Sequence, residues 1–316
     1  MLDAWARSLP YFFYAVIRGG YLAVTTFFVL SGFVLARSYA ATAWDRRSLL
    51  RYGVGRFARI YPVYALSLAL VVPFILADRT PGKGELVAAH GLLLQGWLGH
   101  LPVNWNTPAW SLSCEAFFYL MFPLVGAAVQ RANWRATLGI AAASCVLTRA
   151  MWAVGISDEI KPLIHLSDFL MGIAASRIYD LLQKRRLQPA GPWLYLPGAA
   201  LASALIAYPG LLPPNVDLNT ALRPLNALLL LGFALGGGIV ARLLSSQLAV
   251  YLGKSSYAMY ILHVPVLWWY LRWSRGFSVL LYLLLVIGIA ALVYRFIEEP
   301  ANRWLRVRMT PVPLEN

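Results

Sequence analysis

The sequence predicts an all-α fold, a polytopic transmembrane helical bundle of about nine to ten spans, and three observations predict it. Of the 316 residues, 60% are hydrophobic and 13% charged, whereas soluble domains average about 45–50% and about 25%. The mean hydropathy is +0.63, and the apolar residues gather into runs near the roughly 20 residues that a bilayer crossing requires. The net charge of +14 comes in short basic bursts between those runs. That arrangement follows the positive-inside rule and argues against nucleic acid as the partner, which would ask for one basic surface.

In chain order the apolar runs lie near 20–37, 58–77, 109–129, 136–155, 162–179, 193–210, 222–242, 256–272 and 277–297. Arg46, Arg47, Arg51, Arg56 and Arg59 separate the first two runs. Arg131 and Arg135 follow the third, Lys184, Arg185 and Arg186 the fifth, and Arg242 and Lys254 the seventh. Arg303, Arg306 and Arg308 follow the ninth. Every second connection is therefore basic and is expected in the cytoplasm with the C-terminus, Arg272 and Arg275 being the exceptions. This count leaves the N-terminus outside without a cleavable signal peptide, so one further helix is expected before residue 20. Residues 86–100, LVAAHGLLLQGWLGH, are apolar but short, and predict a re-entrant or surface-lying segment. The 12 Trp and 17 Tyr flank many of the runs as interfacial anchors. Cys114 and Cys145 fall inside apolar runs without C-x-x-C spacing and read as small packing residues.

Ionisable groups inside a membrane are functional candidates by default, because each costs several kcal/mol unless paired or hydrated. Glu115 sits a turn inside NTPAWSLSCEAFFYLMFP. Its alternatives are an interior ion pair with an arginine, or a place in a polar reaction cavity. His165 and Asp168 are three apart and share a helix face, as an oriented base or as a self-satisfying pair. His263 lies mid-run ahead of Pro265, which frees a carbonyl one turn earlier. It is either a packed histidine or a base. Arg149 is either a functional group of the bundle or a side chain reaching the outer interface. Glu298 and Glu299, beside Arg295 and Arg303, read as interfacial ion pairs. Arg56 and Arg59 form either a positive-inside flank or a phosphate-binding pair, since guanidinium groups suit bidentate phosphate contact. No metal-ligand spacing, P-loop or nucleophile elbow is present in the sequence.

Five blocks resemble, in order, those of the acyltransferase 3 family of integral membrane enzymes. They are GYLAVTTFFVLSGFVLARSY (20–39), RFARIYPVY (56–64), NTPAWSLSCEAFFYLMFP (106–123), YLGKSSYAMYILHVPV (251–266) and FIEEPANRW (296–304). The resemblance runs from Gly20 to Arg306, so the chain divides into an atypical segment 1–19, a transmembrane domain 20–306 and a cytoplasmic tail 307–316. It implies an acyl donor, usually acetyl-CoA, bound from the cytoplasm as a substrate and not as a permanent cofactor. It also implies a hydroxyl acceptor on a cell-envelope glycan, lipid-linked sugar or secondary metabolite. Membrane lipid is a further expected partner, homo-oligomers stay open, and the bacterial cytoplasmic membrane is the expected location. The matched positions are Phe27, Phe28, Ser31, Gly32 and Phe33, then Arg56, Arg59 and Pro62. Trp110, Ser111, Leu112 and Glu115 come next, then Ser256, Tyr257 and His263. DFLMGIAA resembles a further, less specific stretch.

The family opens with a helix that carries an arginine and, about ten residues on, a histidine regarded as the catalytic base. Residues 1–19 contain no histidine, and Arg7 and Arg18 do not fill the pattern. An upstream start, a lost helix or a substitute base would each account for this. Acyl transfer from a thioester to a hydroxyl needs a base and an oxyanion-stabilising environment. The expected parts are Glu115 as the group that orients the base or acceptor, and His263, with His165 behind it, as substitute base. Arg56 and Arg59 are expected on the CoA phosphates, and Trp110, Ser111 and Ser31 on the substrate. A transporter or flippase of a lipid-linked sugar, or a non-catalytic relative, are the rival readings. The absence of an inverted repeat weakens the first of these.

Overall fold

The computed structural model describes residues 10–77, 83–99, 105–156, 160–185, 191–213, 216–274 and 276–309. The helices are α1 Tyr11–Arg18, α2 Ala23–Ser38, α3 Arg46–Ala77, α4 Lys83–Gly91, α5 Trp110–Arg131, α6 Trp134–Ala153, α7 Lys161–Ile164 and α8 Leu166–Lys184. They continue as α9 Gly191–Ala207, α10 Leu218–Leu235, α11 Gly238–Leu244, α12 Gln247–Trp273, α13 Val279–Val293 and α14 Glu299–Met309. A π-helical turn, Tyr294–Glu298, joins the last two. Each of the nine apolar runs is helical, and among the described residues six helical stretches are long and apolar enough to cross a membrane. The protein is a polytopic membrane bundle. Arg7, Arg186 and Arg275, His100 and residues 310–316 lie outside the described residues, as do the side chains of Arg18, Arg131 and Arg306.

The chain forms two compact units, Met1–Ala41 with Leu124–Ser245, and Thr42–Pro123 with Ser246–Asn316. In the first, α2 and α8 cross with almost no side chain between them. A Cβ on Gly32 would lie 2.0 Å from the Phe169 carbonyl oxygen, and one on Gly172 would lie 1.9 Å from that of Val29. Small residues at such crossings let backbones touch where lipid gives no hydrophobic drive. Val29, Phe33, Ala175 and Ala227 pack around this crossing. The run at 222–242 is broken, because Gly236, Gly237 and Gly238 all take positive φ and end α10 before the short α11 begins. Only glycine adopts three such conformations in succession without strain.

The second unit is built on α3. This helix starts at Arg46, well before the apolar run at 58, because arginine is a good helix former and Asp45 caps it. Its 32 residues span about 48 Å, more than the roughly 30 Å hydrocarbon layer. The exposed Arg46, Arg47 and Arg51 therefore occupy an end that projects beyond the apolar stretch. The 86–100 stretch holds the short α4 and a turn, and is tied to the middle of α3. The Tyr64 and Tyr61 hydroxyls donate to the carbonyls of His90 and Gly91. Tyr64 lies about 20 Å along α3 from Ala77, so the segment packs against the middle of that helix. Leu86, Ala89, His90, Gln95 and Gly96 are buried, while Val87, Leu92 and Leu94 stay exposed. Gln95 donates to the Ala109 carbonyl, and the Ser113 hydroxyl accepts from the Gly96 N–H. The start of α5 is thereby fixed at the level of Tyr64.

Candidate active site

Antiparallel packing of α5 on α3 brings Glu115 to the arginines. The Tyr52 hydroxyl donates to the Tyr119 carbonyl at 2.9 Å, which sets the register. From there Glu115 lies within electrostatic reach of Arg59 and Arg56. The Tyr119 hydroxyl, one turn on, donates to Glu115 Oε1 at 2.5 Å. The guanidinium of Arg56 lies 5.5 Å from the Tyr119 ring centroid and 6.0 Å from that of Tyr52. Such cation–π placement steadies a cation inside an apolar site. Arg56, Tyr52 and Tyr119 line one part of a cleft of about 420 Å³ whose wall is otherwise largely apolar and includes Phe57, Ile60 and Leu120.

Arg59 is held from α12 and from the π-helical turn. Its guanidinium lies 5.5 Å from the Tyr257 ring centroid, and the Tyr257 hydroxyl donates to the Ile60 carbonyl at 2.6 Å. It also ion-pairs with Glu298. The sequence reads Glu298 and Glu299 together as interfacial ion pairs, and the structure separates them. Glu299 pairs with Arg295 at 3.2 Å and Arg303 at 3.6 Å, on its own helical face. Glu298 is buried with only 1% of its side chain exposed.

A second stretch of polar groups continues along α5 and α12. The Ser111 and Tyr260 hydroxyls are 3.0 Å apart, and each donates to the Pro108 carbonyl as an alternative partner. The Nδ1–H of His263 donates to the Tyr260 carbonyl at 2.6 Å. A carbonyl can only accept, so Nδ1 carries the proton and Nε2 of the neutral ring carries the lone pair. The hydroxyl of Tyr282 donates to the His263 carbonyl, one of the bonds that tie α13 to α12 near the freed turn at Pro265. Trp110 lies at the head of α5, half-buried, beside Ser111.

The other two sequence candidates, Ser31 and His165, belong to the first unit. Ser31 precedes Gly32 on α2, where the close crossing explains why a glycine stands in that block. His165 Nδ1 is 2.8 Å from Asp168 Oδ2, as the spacing predicts, and its ring sits 5.1 Å from that of Phe28. Sequence reasoning missed the third member, Arg223, whose Nε donates to Asp168 Oδ1 at 2.8 Å. Both ends of that pair are buried, at 1% and 0% exposure. The signal was an arginine within an apolar run, but Arg223 stands near the run's edge and reads as a flank. Arg149 is exposed.

Among the described residues no group of three or more His, Cys, Asp or Glu could hold a metal. Similarity to known proteins bears on the arrangement as a whole. The chain is 31% identical to Acyltransferase MdmB of Streptomyces mycarofaciens, covering 90% of this chain and 82% of that one. It is 34% identical to Protein 2 in picA locus of Rhizobium radiobacter, over 45% of this chain and 83% of that one. A 28% match to O-acetyltransferase OatA of Staphylococcus aureus covers 34% of this chain and 20% of that larger protein. No solved structure matches. The acyltransferase 3 model, described as an acyltransferase domain, matches residues 3–297, and the chain belongs to that family of membrane acyltransferases.

Proposed function

We propose that the protein transfers an acyl group, acetyl by preference, from acyl-CoA to a hydroxyl of a cell-envelope glycan, a lipid-linked sugar or a secondary metabolite. One observation carries this reading: the second unit bears a run of polar side chains from Arg56 and Arg59, through Glu115 with Tyr119 and Ser111 with Tyr260, to His263. Arginines suit the phosphates of CoA at one end, and a base-competent nitrogen stands toward the other. The O-acetyl preference leans on the name of the partial relative OatA.

In the reaction the acceptor oxygen attacks the thioester carbonyl, an O–C bond forms and the C–S bond breaks. His263 Nε2 takes the hydroxyl proton, and CoA leaves as a thiolate that is protonated in turn. The Nδ1–H bond to the Tyr260 carbonyl keeps the lone pair on Nε2 and supports the imidazolium as it forms. Glu115, within electrostatic reach of Arg59 and Arg56, is retained inside the unit because it balances those arginines. Its Tyr119 partner keeps the carboxylate oriented.

The test is label transfer from radiolabelled acetyl-CoA into the cell-envelope and small-molecule fractions, by membranes carrying the chain. A general base contributes about 10²–10⁴-fold, so His263→Gln should lower transfer by about that factor. Glu115→Gln should lower it by about tenfold or more. Wild-type transfer by His263→Gln removes the base from this chain's His263. No transfer by wild-type membranes supplied with a glycan, lipid-linked sugar or metabolite acceptor removes the acyl-transfer reading.

A further inference from the structure

We infer that Glu298 is a positioning residue of the donor site, holding Arg59 in the pose that receives a phosphate of acyl-CoA; this rests on the donor role proposed above for Arg56 and Arg59. The two residues are 239 apart in sequence, yet they form a direct ion pair. Local helix geometry explains how Glu298 gets there. The last apolar helix changes at Val293 into a π-helical turn that ends on Glu298. A π turn inserts one extra residue, rotates the helix beyond it, and recurs at functional sites. Here it splits two adjacent carboxylates, sending Glu298 inward to α3 and leaving Glu299 on the outer face with Arg295 and Arg303.

The pair is lopsided. Glu298 uses Oε1 on Arg59, while its buried Oε2 has no hydrogen-bond partner among the described residues. A pair selected only to bind two helices together gains most from parallel, two-bond contact. The exposure is lopsided too, at 1% for the Glu298 side chain and 36% for that of Arg59. Arg59 is thus gripped from within by Glu298 and flanked by the Tyr257 ring, whose hydroxyl is itself anchored on α3. A guanidinium carries five N–H donors, so one bond to Glu298 leaves donors on its open side for an anion. An arginine held this way has lost its rotamer freedom before the ligand arrives, and preorganisation of that kind raises affinity.

The experiment is calorimetric binding of CoA to the full purified chain in detergent, which needs no knowledge of the acceptor. Glu298→Gln should weaken CoA by about tenfold, Glu298→Asp by less, and Arg59→Ala by at least as much as Glu298→Gln. The double variant Glu298→Gln with Arg59→Ala should bind no more weakly than Arg59→Ala alone, since the carboxylate acts through the arginine. A charge swap, Arg59→Glu with Glu298→Arg, keeps an ion pair and guards against loss of fold. It should retain thermal stability while CoA affinity stays lowered. Wild-type or tighter CoA binding by Glu298→Gln or by the swap, with Arg59→Ala weakened, overturns the positioning role and leaves the donor site standing. Wild-type binding by both Arg56→Ala and Arg59→Ala overturns the donor site itself.

Discussion

Single residues show how the molecule handles charge where water is scarce. Asp168 and Arg223 are both buried, and Asp168 also holds His165. Breaking one partner of such a pair costs about 3–5 kcal/mol, because a lone charge is left behind, whereas replacing both can be nearly neutral. Arg223→Met alone should therefore lower the thermal midpoint in detergent sharply, and so should Asp168→Leu alone. The double variant should recover part of the loss. Additive losses in a double-mutant cycle would mean that the two charges are not coupled. The same logic explains which site residues the sequence reveals. Glu115, His165, Asp168 and His263 stand out because a polar letter inside an apolar run is visible without knowing its partner. Arg223 and the inward turn of Glu298 are not visible that way. Their meaning lies in contacts 55 and 239 residues away.

At the scale of helices, hydropathy reports where apolar stretches are and says little of how the backbone runs through them. All nine runs are helical, yet α3 begins at Arg46 and not near 58, three glycines cut the seventh run, and a π turn ends the ninth. The departures depend on capping, glycine conformation and helix winding, which hydropathy does not register. The α2–α8 crossing makes one such geometry testable. Gly172→Ala would place a methyl 1.9 Å from the Val29 carbonyl oxygen, and overpacking costs about 1–3 kcal/mol. It should lower thermal stability. Gly139→Ala on α6 meets nothing within 4 Å and should raise stability or leave it unchanged, helix entropy favouring alanine by about 0.5–1 kcal/mol. Equal behaviour of the two variants would deny the close crossing.

The start of α3 adds a pH prediction at the same scale. Asp45 accepts from the Ser48 N–H at 2.7 Å, and the Ser48 hydroxyl accepts from the Asp45 N–H at 3.0 Å, a reciprocal cap. Hydrogen bonds from Ser48 hold the Asp45 carboxyl below the usual carboxylate range. Its folded value is thus below its unfolded value. The cap is at full strength above about pH 3.9 and is lost as pH falls through the lower folded value. Hydrogen exchange at the Ser48 and Leu49 amides should quicken relative to mid-helix amides on acidification through that window. Asp45→Ala should show the faster exchange at every pH, and an unchanged pH response in that variant would place the effect elsewhere.

For the whole molecule, the distribution of basic residues predicts which ends of the helices share a side. The arginine-bearing end of α3, the connection after α8 at Lys184 and Arg185, and Arg303 on α14 all belong to basic connections, for each of which the positive-inside rule predicts a cytoplasmic location. The register within the second unit obeys the same assignment. Tyr257 meets Ile60 and Trp269 meets Leu70, so α12 runs parallel to α3, as two helices that leave the same side must. The proposed chemistry requires the cleft edged by Arg56 to face the compartment that holds CoA, and that orientation is testable. Single cysteines at Arg47, Lys184 and Ser274, in a Cys114→Ala, Cys145→Ala background, test it in intact cells and inverted vesicles. Membrane-impermeant maleimide should label positions 47 and 184 only in inverted vesicles, and position 274 only in intact cells. Labelling at 47 from the outside would turn the arginines away from CoA, and neither the donor site nor Glu298's hold on it could then operate as described.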